Sequence, residues 1–133
     1  MKYFAYGMNT HPESMSHRCP GARALGSAVL PDHRFRFALY ADVVESPGST
    51  AEGVLWEITR ENLASLDILE GWPRFYTRKW VSVEWQGSTV QALVYQMTPD
   101  NPDRAPVAGY LKTLEEGYRH FGVSLEQLAC ANY

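Results

Sequence analysis

The sequence predicts an α+β fold in which a small, curved, mainly antiparallel sheet closes toward a barrel and helices pack outside it. Two observations lead there. β-prone runs outnumber helical ones, and they follow one another along the chain instead of alternating with helices, which argues against parallel βαβ units. The strongest helical pattern comes late, at Val107, Tyr110, Leu111, Leu114, Tyr118 and Phe121, whose spacing leaves one apolar stripe to lay against a sheet.

Taken in order, the chain opens with an aromatic β-prone run, Tyr3-Phe4-Ala5-Tyr6, that stops at Gly7. Thr10-His11-Pro12-Glu13 then matches a Ser/Thr-x-x-Glu helix start with Thr10 as the cap. Pro12 costs little there, because the first helical N–H groups have no intrahelical partner. Residues 11–18 make a short helix closed by Cys19-Pro20-Gly21. Residues 22–30 read as extended, Pro31-Asp32-His33 as a turn, and 34–40 as a half-buried strand with its arginines on the solvated face. Polar, proline and glycine content make 41–50 a surface loop, followed by a strand over 52–58. Thr59 caps a helix over 60–69, Leu63, Leu66 and Leu69 share one stripe, and Gly71 ends it. Residues 76–85 and 89–97 form a hairpin across Gln86-Gly87-Ser88. Prolines and aspartates make 98–106 a loop, a helix runs from 107 to Gly122, and a last short helix over 124–129 starts at Ser124 with Gln127 three residues on.

At 133 residues the chain is expected to fold as one domain, 1–133, with a core that needs no staples. Hydrophobic residues at 45% and charged residues at 20% place it among globular proteins. Lys+Arg at 12 against Asp+Glu at 15 offers no basic surplus for nucleic acid. No apolar run approaches the roughly 20 residues of a membrane span, and the start does not read as a signal peptide. Cys19 and Cys130 lie at opposite ends of the chain, and neither has a second Cys or His pair at metal-ligand spacing. A cytoplasmic chain with reduced thiols, no metal and no cofactor is the expectation.

Two stretches carry chemistry. At the first, a buried strand empties through Gly7-Met8-Asn9 into a helix start, so free backbone N–H groups converge in an arrangement that binds carboxylates or phosphates. At the second, Leu66-Asp67-Ile68-Leu69-Glu70-Gly71, two carboxylates fall at a helix C-terminus, where the macrodipole disfavours negative charge. Apolar neighbours also desolvate Glu70, and both effects raise a carboxyl pKa toward the range useful for proton transfer. The residues alone equally allow Glu70 to sit in water at the helix end beside Arg74 or Arg78.

Tyr6-Gly7-Met8-Asn9-Thr10 resembles the Tyr-Gly-Ser-Asn-Met/Leu motif of the γ-glutamylcyclotransferase-like family, with Met8 in place of Ser and Thr10 in place of Met or Leu. The segment ending in Glu70-Gly71 resembles the Leu-Asp-x-x-Glu-Gly stretch that carries that family's catalytic glutamate. Ala108-Gly109-Tyr110-Leu111 and Glu116-Gly117-Tyr118-Arg119-His120-Phe121-Gly122 resemble its late helix. The resemblance spans nearly the whole chain, with the motifs in the right order and spacing. It implies a small β-barrel-like fold whose opening loop and Glu70 face one cavity, and cyclisation of a γ-glutamyl amide or amine to 5-oxoproline with release of the amine. On that reading Glu70 is the general acid/base, with Asp67 as the fallback carboxylate. The N–H groups of Gly7, Met8 and Asn9 hold the glutamyl carboxylate or the developing oxyanion, and Tyr6 and Tyr110 orient the substrate. Tyr110 fits a core tyrosine on the apolar stripe just as well.

The nucleophile in such a reaction is the substrate's own α-amine, so neither a metal nor a Ser/His pair is implied. The partner is a small γ-glutamyl molecule, met by a monomer or weak homodimer, and the loops at 41–50 and 98–106 are expected to select the amine. Two other readings fit the same scaffold: a non-catalytic binder of amino-acid-like ligands, and an enzyme that removes a γ-glutamyl group within one biosynthetic pathway.

Overall fold

The computed structural model describes residues 1–132. Five strands, β1 (Lys2–Ala5), β2 (Arg23–Ala38), β3 (Tyr40–Glu57), β4 (Tyr76–Trp85) and β5 (Ser88–Met97), close into a barrel in the order β1-β3-β2-β4-β5. Pairing is antiparallel except where β1 meets β5 at Tyr3↔Leu93, the parallel contact that closes the ring. Four helices lie outside: α1 (Pro12–Arg18), α2 (Arg60–Leu69), α3 (Ala108–Phe121) and α4 (Glu126–Ala129). Phe4, Leu30, Val43, Val54, Leu55, Val83 and Val94 are fully buried on the strands, and Met15, Leu66, Leu114 and Tyr118 join them from the helices. This is the α+β barrel that the run of consecutive strands predicts. Among the described residues, no helix is long and apolar enough to cross a membrane.

The largest departure from the sequence reading is the β2–β3 hairpin. The turn expected at Pro31-Asp32-His33 and the loop expected at 41–50 are both strand. The chain reverses instead at Leu39, where φ is 69°, and pairing runs from Ala38↔Tyr40 back to Arg23↔Glu57. Between Pro31↔Thr50 and His33↔Glu45 the register jumps, leaving residues 46–49 outside the ladder. Such a bulge houses Pro47 and begins directly after Pro31, neither of which has an N–H to donate, and bends the strand as a small barrel requires. Asp32 Oδ1 accepts the Gly48 N–H at 3.0 Å and ties the bulge together. Apart from buried Asp42, the polar content that reads as a loop lies toward water on this bulged strand.

Arg36 also departs from its expected solvated position, whereas Arg34 is exposed. The Arg36 guanidinium is buried and donates through Nε to Asp42 Oδ2 at 2.9 Å and through Nη1 to Asp103 Oδ1 at 3.0 Å. Asp42 in turn accepts the Met97 N–H at 2.8 Å. A buried charge is tolerated when its donors are met in this way.

The helix ends follow local chemistry, with two corrections. His11, not Thr10, caps α1: its Nδ1 accepts from Ser14 N, while Thr10 Oγ1 donates to Gly7 O at 2.7 Å and closes a 3₁₀ turn over Met8–Thr10. Pro12 opens α1 as expected. Thr59 caps α2 and Asn62 reciprocates, so the helix starts where the sequence places it. Leu66 is buried but Leu69 stays 46% exposed, so the stripe of α2 ends before its last residue. The β4–β5 turn is Gln86-Gly87, with Ser88 already in the strand. Ser124 is not the N-cap of α4, which starts at Glu126 after Leu125, and Gln127 instead brackets Glu52, donating to its carbonyl at 2.8 Å and accepting its N–H at 2.7 Å.

Candidate active site

Chain reversal after β1 is what creates the site. Tyr6 leaves the barrel, Gly7 turns, and the 3₁₀ turn Met8–Thr10 lies across the barrel mouth. Gly7 has φ −119°, so its need is space and not left-handed backbone. A Cβ there would sit 3.0 Å from Ala41 Cβ and 3.3 Å from Tyr110 Oη. Helix α3 clamps the turn from outside through Gly117, where any Cβ would collide with Thr10 Oγ1. The next residue, Tyr118, donates through Oη to Tyr6 O at 2.6 Å. The glycine-tyrosine pair of the late helix thus sets the position of the opening loop.

A cavity of about 340 Å³ opens at this end of the barrel. Tyr6, Gly7, Met8, Asn9, Glu70 and Tyr110 all line it, so all six sequence-derived site residues meet at one place. Asn9 is the hub. It is buried; its Nδ2 donates to Tyr3 Oη at 3.0 Å and approaches Glu70 Oε1 at 3.5 Å, while its Oδ1 accepts from Arg18 Nη1 at 2.7 Å. The turn is closed by Thr10 N to Gly7 O and His11 N to Met8 O, and among the described residues the N–H groups of Met8 and Asn9 find no acceptor.

Glu70 is the C-cap of α2 and is half-buried. Burial against the cavity wall pushes its carboxyl up from 4.5 to about 7, and the nearby positive charge of Arg18 holds it from rising further. Neither Arg74 nor Arg78 compensates it. Arg78 instead grips Asp67 at 2.9 and 3.2 Å and stacks over Trp72, and Asp67 also accepts from Tyr95 Oη at 2.7 Å. The two carboxylates of the motif therefore have opposite lots: Asp67 is saturated by partners, and Glu70 is left facing the cavity.

The tyrosines divide in the same way. Tyr6 spends its hydroxyl on Tyr95 O at 2.6 Å, so it offers the cavity a ring face only. Tyr76 donates to Ala41 O at 2.7 Å. Tyr110 Oη accepts the Ala41 N–H at 2.9 Å, which leaves its own proton to donate. Burial pushes that hydroxyl up to about 12, so it keeps the proton at neutral pH. Tyr110 therefore lies between core and cavity, holding the β2–β3 hairpin and lining the pocket at once.

Arg18 is the residue the sequence reading misses. A basic side chain in the last turn of a short helix reads as a dipole partner, and nothing local marks it as the cavity's cation. Its one signal is position, since α1 starts directly after the loop and returns its C-terminus to Asn9. The segments expected to select the amine are also displaced. Of 41–50 only Ala41 lines the cavity, and 98–106 contributes none of the described lining; Tyr40, Leu69 and Phe75 form the rim instead. No group of His, Cys, Asp or Glu among the described residues is arranged to hold a metal ion.

Known proteins share this sequence and shape. A family model described as Gamma-glutamyl cyclotransferase, AIG2-like matches residues 3–117. The chain is similar to Gamma-glutamylcyclotransferase of Bos taurus, 33% identical over 138 residues that cover 93% of this chain and 73% of that protein. It is similar to the Homo sapiens protein of the same name, 32% identical over 139 residues with 93% and 73% covered. A solved gamma-glutamyl cyclotransferase structure superposes with a TM-score of 0.87 at 29% identity, covering 97% of this chain and 85% of that one.

Proposed function

This chain belongs to the gamma-glutamyl cyclotransferase, AIG2-like family, and we propose that its cavity closes a γ-glutamyl amide to 5-oxoproline and releases the amine, with Glu70 as the proton carrier. The observation that carries the assignment is that Glu70 is the one carboxylate among the described lining residues and titrates at about 7. A carboxyl raised toward neutrality lies closer to a substrate α-ammonium than an ordinary glutamate does, which lowers the cost of passing a proton between the two.

The reaction needs one C–N bond made and one broken. The substrate α-ammonium gives a proton to Glu70, and the freed amine attacks the γ-carbonyl carbon within the same molecule. The tetrahedral intermediate collapses as Glu70 gives that proton to the departing nitrogen. Glu70 then takes the second proton from the ring nitrogen, leaving the neutral lactam N–H, and passes it to the released amine, which departs as an ammonium. Because attack is intramolecular, holding the glutamyl chain folded supplies several kcal/mol of the acceleration, on the order of what effective molarities give. The unpaired N–H groups of Met8 and Asn9, with the Arg18 guanidinium behind them, suit the α-carboxylate. The free proton of Tyr110 suits the γ-carbonyl oxygen as charge develops on it.

The test is incubation with a mixture of γ-glutamyl amino acids and γ-glutamylamines, with 5-oxoproline detected by mass spectrometry. Wild-type protein releases it. Glu70→Gln keeps fold and binding within about tenfold but loses turnover, since the amide cannot carry the proton. Substantial turnover by Glu70→Gln would remove Glu70 from the mechanism, and γ-glutamyl compounds retained unchanged by the wild type would favour a binder.

A further inference from the structure

We propose that the departing nitrogen carries an apolar group with no charge of its own, and that this hydrocarbon group seats on a rim formed by Tyr40, Leu69, Phe75 and Met8. The proposal rests on the cyclisation reading of the same cavity and names the substrate class for it.

Size is the first argument. At about 340 Å³ the cavity is at the small end of ligand pockets, so a glutamyl unit fills much of it and any larger amine extends to the mouth. The mouth is where the protein exposes its apolar side chains. Tyr40 is 45% exposed, Leu69 46% and Phe75 37%, and all three line the cavity. Ile68 and Trp72, neighbours of Leu69 in sequence, are also 84% and 43% exposed. Large apolar side chains clustered in water around a pocket mark the surface a ligand covers.

Shape is the second. Tyr40 packs edge to face with Tyr110 at 5.4 Å and with Phe75 at 6.3 Å, and Phe75 does the same with Tyr76 at 4.9 Å. These contacts hold the rim rings in place before a ligand arrives, which lowers the ordering cost of binding.

Charge is the third. Arg18 and Glu70 are the only charged side chains among the described lining residues, and both lie at the Asn9 end. The α-carboxylate and α-amine of the glutamyl unit use them. A further carboxylate or ammonium on the departing group finds no charged partner left among the described lining residues.

Binding is measured by calorimetry with the non-cyclising Glu70→Gln protein, and turnover with the wild type, on three compounds: γ-L-glutamylbenzylamide, γ-L-glutamylglycine and γ-L-glutamylethylenediamine. The benzylamide is expected to bind at least about tenfold more tightly than either charged compound, the scale of burying a small apolar group. Adding Phe75→Ala should reduce that advantage to about twofold or less, and Phe75→Leu should restore most of it by returning apolar surface. Equal affinities, or tightest binding of the ethylenediamine compound, overturn the proposal; if Phe75→Ala does not fold, the three-compound comparison alone decides. Equal turnover of all three by the wild type sinks the rim preference and leaves cyclisation standing. Selective benzylamide binding without 5-oxoproline release does the reverse.

Discussion

Glu70→Gln should stabilise the protein, and the gain should depend on pH in a way that only a raised pKa produces. Burial lifts the Glu70 carboxyl from 4.5 to about 7. Below about pH 4.5 the carboxyl is protonated in both folded and unfolded chains and exerts no effect. Between 4.5 and about 7 the unfolded chain ionises first, so stability falls with rising pH, and the loss is complete once the folded carboxyl has ionised. A shift of that size corresponds to roughly 3 kcal/mol at about 1.4 kcal/mol per pH unit, and solvent around the half-exposed side chain reduces it to about 1–2 kcal/mol. For a domain of this length that is about 3–8 °C in Tm. Thermal melts of both proteins from pH 4.5 to 8.5 give the answer as a difference, in which distant histidines cancel. The gap should be near zero at pH 4.5, open through pH 5–7, and stay flat above. A gap that is constant across the range, or a wild type that gains on the variant as pH rises, would refute the claim that burial outweighs Arg18 at this carboxyl. In the wild type kcat/KM should fall as pH drops through about 7, because the base is then protonated.

Met8→Ser should change kcat/KM by less than about tenfold, roughly 1.4 kcal/mol, because residue 8 works through its backbone N–H; a much larger gain on simple γ-glutamyl compounds would put recognition on the side chain. Gly7→Ala should cost turnover at least about a hundredfold, since its methyl group has to displace Ala41 or Tyr110, which lie 3.0 and 3.3 Å from it; near-normal kinetics would show that the loop shifts freely. Asp67→Asn should act on stability first, lowering it by about 1–3 kcal/mol as the Arg78 pair is weakened, with a milder effect on kcat than Glu70→Gln. A stable but inactive Asp67→Asn would swap the roles of the two carboxylates.

How much of this is legible in sequence follows the range of the interactions involved. Thr59 and Asn62 cap α2 across three residues, and Gln86-Gly87 reverses the chain by their own backbone preferences, so local rules find both. The β2–β3 hairpin defeats them because its polar, proline-bearing middle is held by a register between Pro31 and Thr50, pairs that no window of adjacent residues contains. Arg36 defeats them similarly, since its partner Asp103 lies 67 positions on, in a loop that Arg104 ties to the backbone of Phe37 and Leu39. The site combines both kinds. Glu70 is marked locally by its helix end and apolar neighbours, yet its pKa is raised by burial in the barrel mouth and tempered by Arg18, and it is approached by Asn9, which is 61 positions away in sequence. A helix end alone would place Glu70 and Asp67 in the same electrostatic environment. What separates them is that β4 and β5 bring Arg78 and Tyr95 to one and nothing to the other. The acid–base assignment is therefore a property of which strands meet α2, and it should be lost if Arg78 were redirected toward Glu70, even with the whole Leu66–Gly71 motif unchanged.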